Sequence, residues 1–357
     1  MTEGGAMTII PHGISQEIAA ADTIEQLRSL GGKLLDIVQS ALDSNADIKG
    51  IVQLISQLND AITLRLIALL ENKEDIRLPE GATYLALGSE GRGEQTLRTD
   101  QDSAIVYLDD LSADELRETE RFANRIVDAL EEIGVPRCPG NIMASNPKLR
   151  LSLTEWERLI DEWIAIPTPE NMLKFGIFQD LRPLYGDESL GDRLREHIRA
   201  TAPGSCLFFP NMATHAVRFP SPLTFFGRIR VEKRGEYKGK IDIKKAGIFA
   251  ITLGVSLLAL EAGIIGGTTW DKLDILRKLK VLTPGDTNTI EKAFTFLVRL
   301  RLQIQMRELS ARGRSSNYVD PKLMSDSERY QFRQALNGVT GFLRIMNNHY
   351  QLNFISH

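Results

Sequence analysis

Between residues 14 and 72 the apolar positions fall at three- and four-residue steps. Ile18, Leu27, Leu30, Leu34, Leu35, Ile37 and Val38 form one series, and Ile51, Leu54, Ile55, Leu58, Ile62, Leu66 and Leu69 another. That period predicts amphipathic helices, broken near Asp43–Asp47. The pattern changes after Leu78–Pro79–Glu80–Gly81, a turn signal. Thr83–Leu87 reads as a short strand, the polar stretch GSEGRGEQTLRTDQ as a loop, and Ser103–Leu108 as a second strand. Ser112 with Glu115 makes a capping box for a helix running to about Ile133, which Gly134 ends. Residues 151–166 and 169–178 read as further helices. After about Pro222 the helical period returns, over 269–281, 286–309 and 326–350. The expected layout is a helical region (1–78), a domain of α/β texture (79–221) and a helical domain (222–357).

One run, residues 246–265, is apolar all round. Its uncharged part, Ala246–Leu260, is shorter than the roughly 18–20 residues a membrane span needs, so a buried core helix is expected. The start, MTEGGAMTIIPHG, lacks the basic and apolar regions of a signal peptide. The whole chain has 357 residues, 43% hydrophobic and 25% charged. Those values exclude a disordered chain or a coiled-coil rod and predict two or three domains. Two cysteines are too few for a disulfide framework, which points to a reducing, cytoplasmic setting, and they cannot build a four-ligand zinc site without help from the five scattered histidines. A net charge of −4 argues against a general nucleic-acid binder.

Chemistry concentrates in Gly88–Asp102. A Gly-Ser pair after a buried strand lets backbone N–H groups approach a phosphate. Asp100 and Asp102 lie two apart at the start of the next strand, so both carboxylates share one face, with Cα atoms roughly 6.5–7 Å apart. Hard oxygen ligands so placed suit Mg²⁺, and two such ions can activate an attacking oxygen and steady a leaving group. Arg92 and Arg98 bracket the loop, and guanidinium groups suit phosphate; pairing with Glu90 and Glu94 is the alternative. Glu94 and Gln95 are placed to brace the loop from behind. Cys138 has no histidine near it in sequence and reads as structural.

Glycine, then Gly or Ser, then two aspartates flanking one residue on the next strand resembles the polymerase-β-type nucleotidyltransferase superfamily. The run GSEGRGEQTLRTDQD is similar to the corresponding loop of PII uridylyltransferases. It is closer to a family of nucleotidyltransferases usually found behind cyclic-nucleotide-binding and CBS modules. That family also carries segments like CPGNIMASNP (138–147) and DIKKAG (242–247), so the resemblance covers roughly residues 15–350.

The resemblance implies an α+β fold: a polymerase-β-type mixed sheet with helices, flanked by helical regions. It implies Gly88 and Ser89 on the nucleotide phosphates, Asp100 and Asp102 as catalytic metal ligands for Mg²⁺ or Mn²⁺, and a third carboxylate from a later strand. Asp180 is the candidate for the third, with Asp109 and Asp187 behind it; an ion pair to Arg182 or a nearby lysine is the alternative. Asn141, Ser145 and Asn146 lie in a turn-like segment suited to nucleotide recognition or to a plain turn. Residues 231–245 hold six basic and three acidic side chains, and Lys244 is the expected phosphate contact among them. In the resembling family an arginine commonly precedes the following helix's "AL"; Ser256 stands near that place here. The expected activity is transfer of a nucleoside monophosphate from an NTP to an acceptor hydroxyl, with a regulatory protein as one possible acceptor and no membrane partner. The alternative is a catalytically silent nucleotide-sensing or protein-interaction module.

Overall fold

The structure, a computed structural model, describes residues 12–44, 46–97, 100–224, 226–312 and 316–354. The chain divides into two compact units, each built from two stretches: residues 1–160 with 180–197, and residues 161–179 with 198–357.

The first unit opens with α1 (His12–Ala20), α2 (Ile24–Asp43) and α3 (Ile48–Glu74). The predicted break falls between α2 and α3, where the Asp47 carboxylate accepts the Gly50 N–H and caps α3. Leu27, Leu30, Leu58, Leu66 and Leu70 are buried in one core with Tyr84, Ile105, Phe122 and Ile126. The strands are β1 (Ala82–Ala86), β2 (Ser103–Tyr107), β3 (Arg150–Ser152) and β4 (Arg182–Gly186). Between β1 and β2 lies a single turn, α4 (Gly88–Gly91), and between β2 and β3 lies α5 (Ala113–Glu132). The capping box at Ser112 and Glu115 forms as the sequence predicts. Gly134 follows at φ 97°.

The sheet runs β3-β2-β1-β4. β1 is antiparallel to both β2 and β4, while β2 and β3 are parallel. This is a small mixed sheet with helical flanks, the α+β class expected. All five residues of β1 are buried, so both faces are covered, and its sequence shows a continuous apolar run in place of alternation. The periodicity does not reveal β4. Pro183 removes a donor from it, which only an edge strand tolerates, and its register with β1 shifts between Tyr84 and Leu85.

The chain enters the second unit within α6 (Leu153–Ala165), returns to the first ahead of β4, and leaves it again within α8 (Glu188–Thr201). The second unit contains α7 (Pro169–Phe178), α9 (Phe208–Ala216), α10 (Phe249–Glu261), α11 (Thr269–Lys278), α12 (Pro284–Arg312) and α13 (Asp326–His349). A two-residue ladder joins β5 (Ile241–Asp242) to β6 (Tyr318–Val319). Every residue of α10 from Ala250 to Leu260 is buried, which accounts for its uniform hydrophobicity. A β-carbon on Gly254 would lie 2.7 Å from the Phe342 ring, so α10 and α13 approach closely there. No described helix is long and apolar enough to cross a membrane.

Candidate active site

The glycine loop hangs directly on the sheet. As β1 ends, the Leu87 N–H donates to the Asp102 carbonyl at 2.9 Å. The loop's first residues and the second aspartate therefore lie side by side, although twelve or more residues separate them along the chain. The turn's first internal bond runs from Gly91 N–H to Leu87 O at 2.9 Å, so the N–H groups of Gly88, Ser89 and Glu90 precede the hydrogen-bonded ladder. Two glycines are dictated by this geometry. Gly88 adopts φ +55°, and a β-carbon on Gly91 would stand 2.1 Å from the Asp180 carbonyl oxygen.

Asp100 and Asp102 lie just ahead of β2, not inside it. Their carboxylates and the Cys138 sulfur lie within 4.8 Å of one another, all three half-buried. Cys138 arrives there by backbone pairing. Gln101 N–H donates to Pro136 O at 3.0 Å, and Ser103 N–H donates to Ile142 O at 3.1 Å. The Ala144 N–H donates to the Ser103 hydroxyl at 3.1 Å. These bonds clamp residues 136–144 along 101–103 and deliver the thiol to the aspartates. Burial first, and then the Asp102 charge, push the Cys138 thiol up to about 12, so at neutral pH it is a neutral donor to Asp102. Sequence reasoning passed over this role because no local motif marks it; the signal is the pairing of two loops.

A second group of charges stands at the loop's other end. Arg92 Nε lies 2.9 Å from Glu94 and its Nη1 2.9 Å from Asp180. The side chains of Arg92, Glu94 and Asp180 are 12%, 4% and 3% exposed. Asp180's partner is thus Arg92, while Arg182 reaches Asp60 at 2.9 Å and the Glu90 carbonyl at 3.0 Å. Helix α3 supports the loop from behind: the Ser56 hydroxyl accepts the Gln95 N–H at 3.0 Å and Asn59 donates to the Gln95 side chain at 3.1 Å. Glu90 is pushed up to about 8, chiefly by burial and then by the Asp60 charge, with Arg182 opposing.

The remaining sequence candidates make contacts of their own. Asp109 accepts from the Ser152 and Thr154 hydroxyls, and Asp187 accepts the Ser189 N–H at 3.0 Å. Asn146 caps a short turn by accepting the Lys148 N–H at 3.1 Å and donates to Asn141 O at 2.9 Å. Ser145 offers its carbonyl to Arg150. Lys244 belongs to the second unit, where its N–H donates to the Asp242 carboxylate at 3.0 Å and opens a π-helical turn. Ser256, at the place of the family arginine, accepts from the buried Lys272 at 2.8 Å. Arg98 lies outside the described residues.

Two family models match the chain. Residues 32–170 match the putative nucleotidyltransferase DUF294, and residues 207–350 match the substrate-binding domain of putative nucleotidyltransferases, DUF294_C. The chain belongs to this nucleotidyltransferase family. The first match contains Gly88, Ser89, Asp100, Asp102 and Cys138; Asp180 falls between the two. No curated protein matches the chain.

The family implies an NTP substrate and a divalent cation, and the donor set tests the second. Two carboxylates converge, and among the described residues no lysine or arginine ion pair offsets Asp100. Burial and the Asp102 charge raise the adjoining thiol, and soft sulfur is not a donor that Mg²⁺ selects. Paired hard oxygens fit Mg²⁺ or Mn²⁺.

Proposed function

We propose that the protein is a Mg²⁺-dependent nucleotidyltransferase whose working residues are Gly88, Ser89, Asp100 and Asp102. The observation that carries this is the Leu87–Asp102 hydrogen bond, which brings the start of the glycine turn beside a converged carboxylate pair. The N–H groups of Gly88 and Ser89 bind phosphate oxygens of the NTP, and the side chain of Ser89 is small enough to let them approach. Asp100 and Asp102 hold the divalent cation, which when bound neutralises triphosphate charge. The acceptor hydroxyl gives up its proton to solvent as its oxygen forms the bond to the α-phosphorus. The bond from that phosphorus to the bridging oxygen breaks, and pyrophosphate leaves with the electron pair. Catalysis here is positioning and charge neutralisation, with no covalent intermediate on the chain.

Arg92 and Asp180 each occupy the other's charged group, and we read them as holding the loop in shape. On this reading the carboxylates of the reaction are Asp100 and Asp102. The convergence of both aspartates supports an active enzyme over a silent nucleotide sensor, because a silent module need not keep both. The acceptor is read as a hydroxyl on a protein or a small molecule. The test is incubation of purified protein and cell lysate with each α-labelled NTP. A labelled acceptor and released pyrophosphate, both lost in Asp102→Asn, are expected; unchanged labelling in that variant would overturn the assignment.

A further inference from the structure

Among the described residues, one group of acidic, histidine or cysteine side chains converges closely enough for three of them to share a metal ion: Asp100, Asp102 and Cys138. Transfer with Mg²⁺ uses the two carboxylates and leaves the sulfur without a part. Mg²⁺ selects oxygen donors, so a site serving it alone gains nothing from a thiol.

A softer cation uses all three. Zn²⁺ accepts sulfur and carboxylate oxygen in one shell, and its open sites pair three protein donors with one free position. Bonds of about 2.3 Å to sulfur and 2.0–2.2 Å to oxygen set neighbouring donors on one zinc ion about 3.4–3.6 Å apart. The three donor atoms here lie within 4.8 Å of one another, so small side-chain rotations bring them onto a single ion. The sulfur is held for this by the chain and not by chance contact. Gln101 pairs with Pro136 and Ser103 with Ile142 on either side of it, and the Asn141 N–H donates to the Cys138 carbonyl at 2.9 Å. The thiol also hydrogen-bonds to the Asp102 carboxylate, so its proton already bridges sulfur and oxygen as a soft cation does.

We infer, on the reading of Asp100 and Asp102 as cation ligands, that Cys138 is a third ligand that sets which cation the site prefers. Mg²⁺ is held by the two carboxylates alone, and Zn²⁺ by the carboxylates and the sulfur. On coordination the S–H bond breaks, the sulfur electron pair goes to the metal and the proton goes to solvent, with no change of oxidation state. Zn²⁺ therefore competes with Mg²⁺ for the pair and holds it more tightly, which makes the site sensitive to free zinc.

The test adds Co²⁺, an optical stand-in for Zn²⁺, to the dialysed full chain. A sulfur-to-cobalt charge-transfer band in the near ultraviolet is expected, saturable and erased by added Zn²⁺. Cys138→Ser should lose the band and bind Zn²⁺ at least tenfold more weakly in calorimetric titration. Its Mn²⁺ affinity, read by electron paramagnetic resonance, should stay within twofold, because Mn²⁺ favours oxygen. Cys206→Ser removes the other cysteine, which is exposed, and should keep the band. Mn²⁺ binding without the band, or a band that survives in Cys138→Ser, would overturn the inference and leave the proposed function standing. A chain that binds no Mn²⁺ would strike the carboxylate reading itself, and the role of Cys138 with it.

Discussion

The loop between β1 and β2 carries acidic groups at both ends, and the two ends are built oppositely. At Asp180 and Glu94 the carboxylates are buried and each meets Arg92 at 2.9 Å. At Asp100 and Asp102 the carboxylates are half-buried and face each other and a neutral thiol. A compensated buried cluster fixes geometry, because removing one partner strands the other's charge. Asp100 and Asp102 are less buried, and their convergence sets two like charges beside each other. Burial around one shared guanidinium marks the first group, and convergence of like charges marks the second.

The sharpest way to break that contrast is to neutralise each end in turn. Asp100→Asn and Asp102→Asn should lower transfer by about a thousandfold, on the order of 4 kcal/mol. Their melting temperatures should stay level or rise, since like-charge repulsion is relieved. A fall in melting temperature comparable to that of the next variant would mean the aspartates are structural. Asp180→Asn should instead destabilise the fold by about 3–5 kcal/mol in urea titration, the mark of a stranded buried charge at Arg92. If Asp180→Asn kept full stability and lost only activity, Asp180 would belong with the reacting groups.

A smaller effect comes from Glu90, in the turn that opens the loop. Its folded value, about 8, lies above the ordinary 4.5. The folded state therefore binds more protons than the unfolded one between those limits. Its contribution to stability is fully present below about 4.5 and is lost as pH rises through about 8. Glu90→Gln should flatten the pH dependence of stability across that window; an unchanged slope would assign it to another group. The smallest effect concerns Cys138. With its thiol held near 12, iodoacetamide at neutral pH should label the exposed Cys206 first. In Asp102→Asn protein the Cys138 thiol loses a charge that raises it, so its labelling should quicken; an unchanged rate would place the thiol away from Asp102.

How much of this was readable beforehand follows from how local each cause is. The capping box at Ser112 and Glu115 involves residues three apart, and the sequence displays it. The all-apolar α10 reports its complete burial in the same way. The Gly88–Ser89 and Asp100–Asp102 pattern is a local motif, and the family match at residues 32–170 covers it. By contrast, Arg92 and Asp180 are 88 residues apart, and no periodicity links them. Cys138 reaches the aspartates only because Gln101 and Ser103 pair with Pro136 and Ile142. Strand β4 depends on β1 for its identity, since Pro183 and Gly186 give it no intrinsic strand character.

The late arrival of β4 bears on how the chain is made. Ala82 opens β1 and Arg182 opens β4, with the first part of the second unit synthesised between them. At about 5–20 residues per second, the ribosome leaves β1 without its second neighbour for on the order of 5–20 s. During that interval its hydrogen-bonding edge is open, and open edges template pairing with other chains. A fragment ending at residue 170, where the first family match ends, would make that interval permanent. It would hold both aspartates yet lack the strand that closes β1 and one of the two carboxylates that meet Arg92, and more of it than of the full chain should be recovered as aggregate.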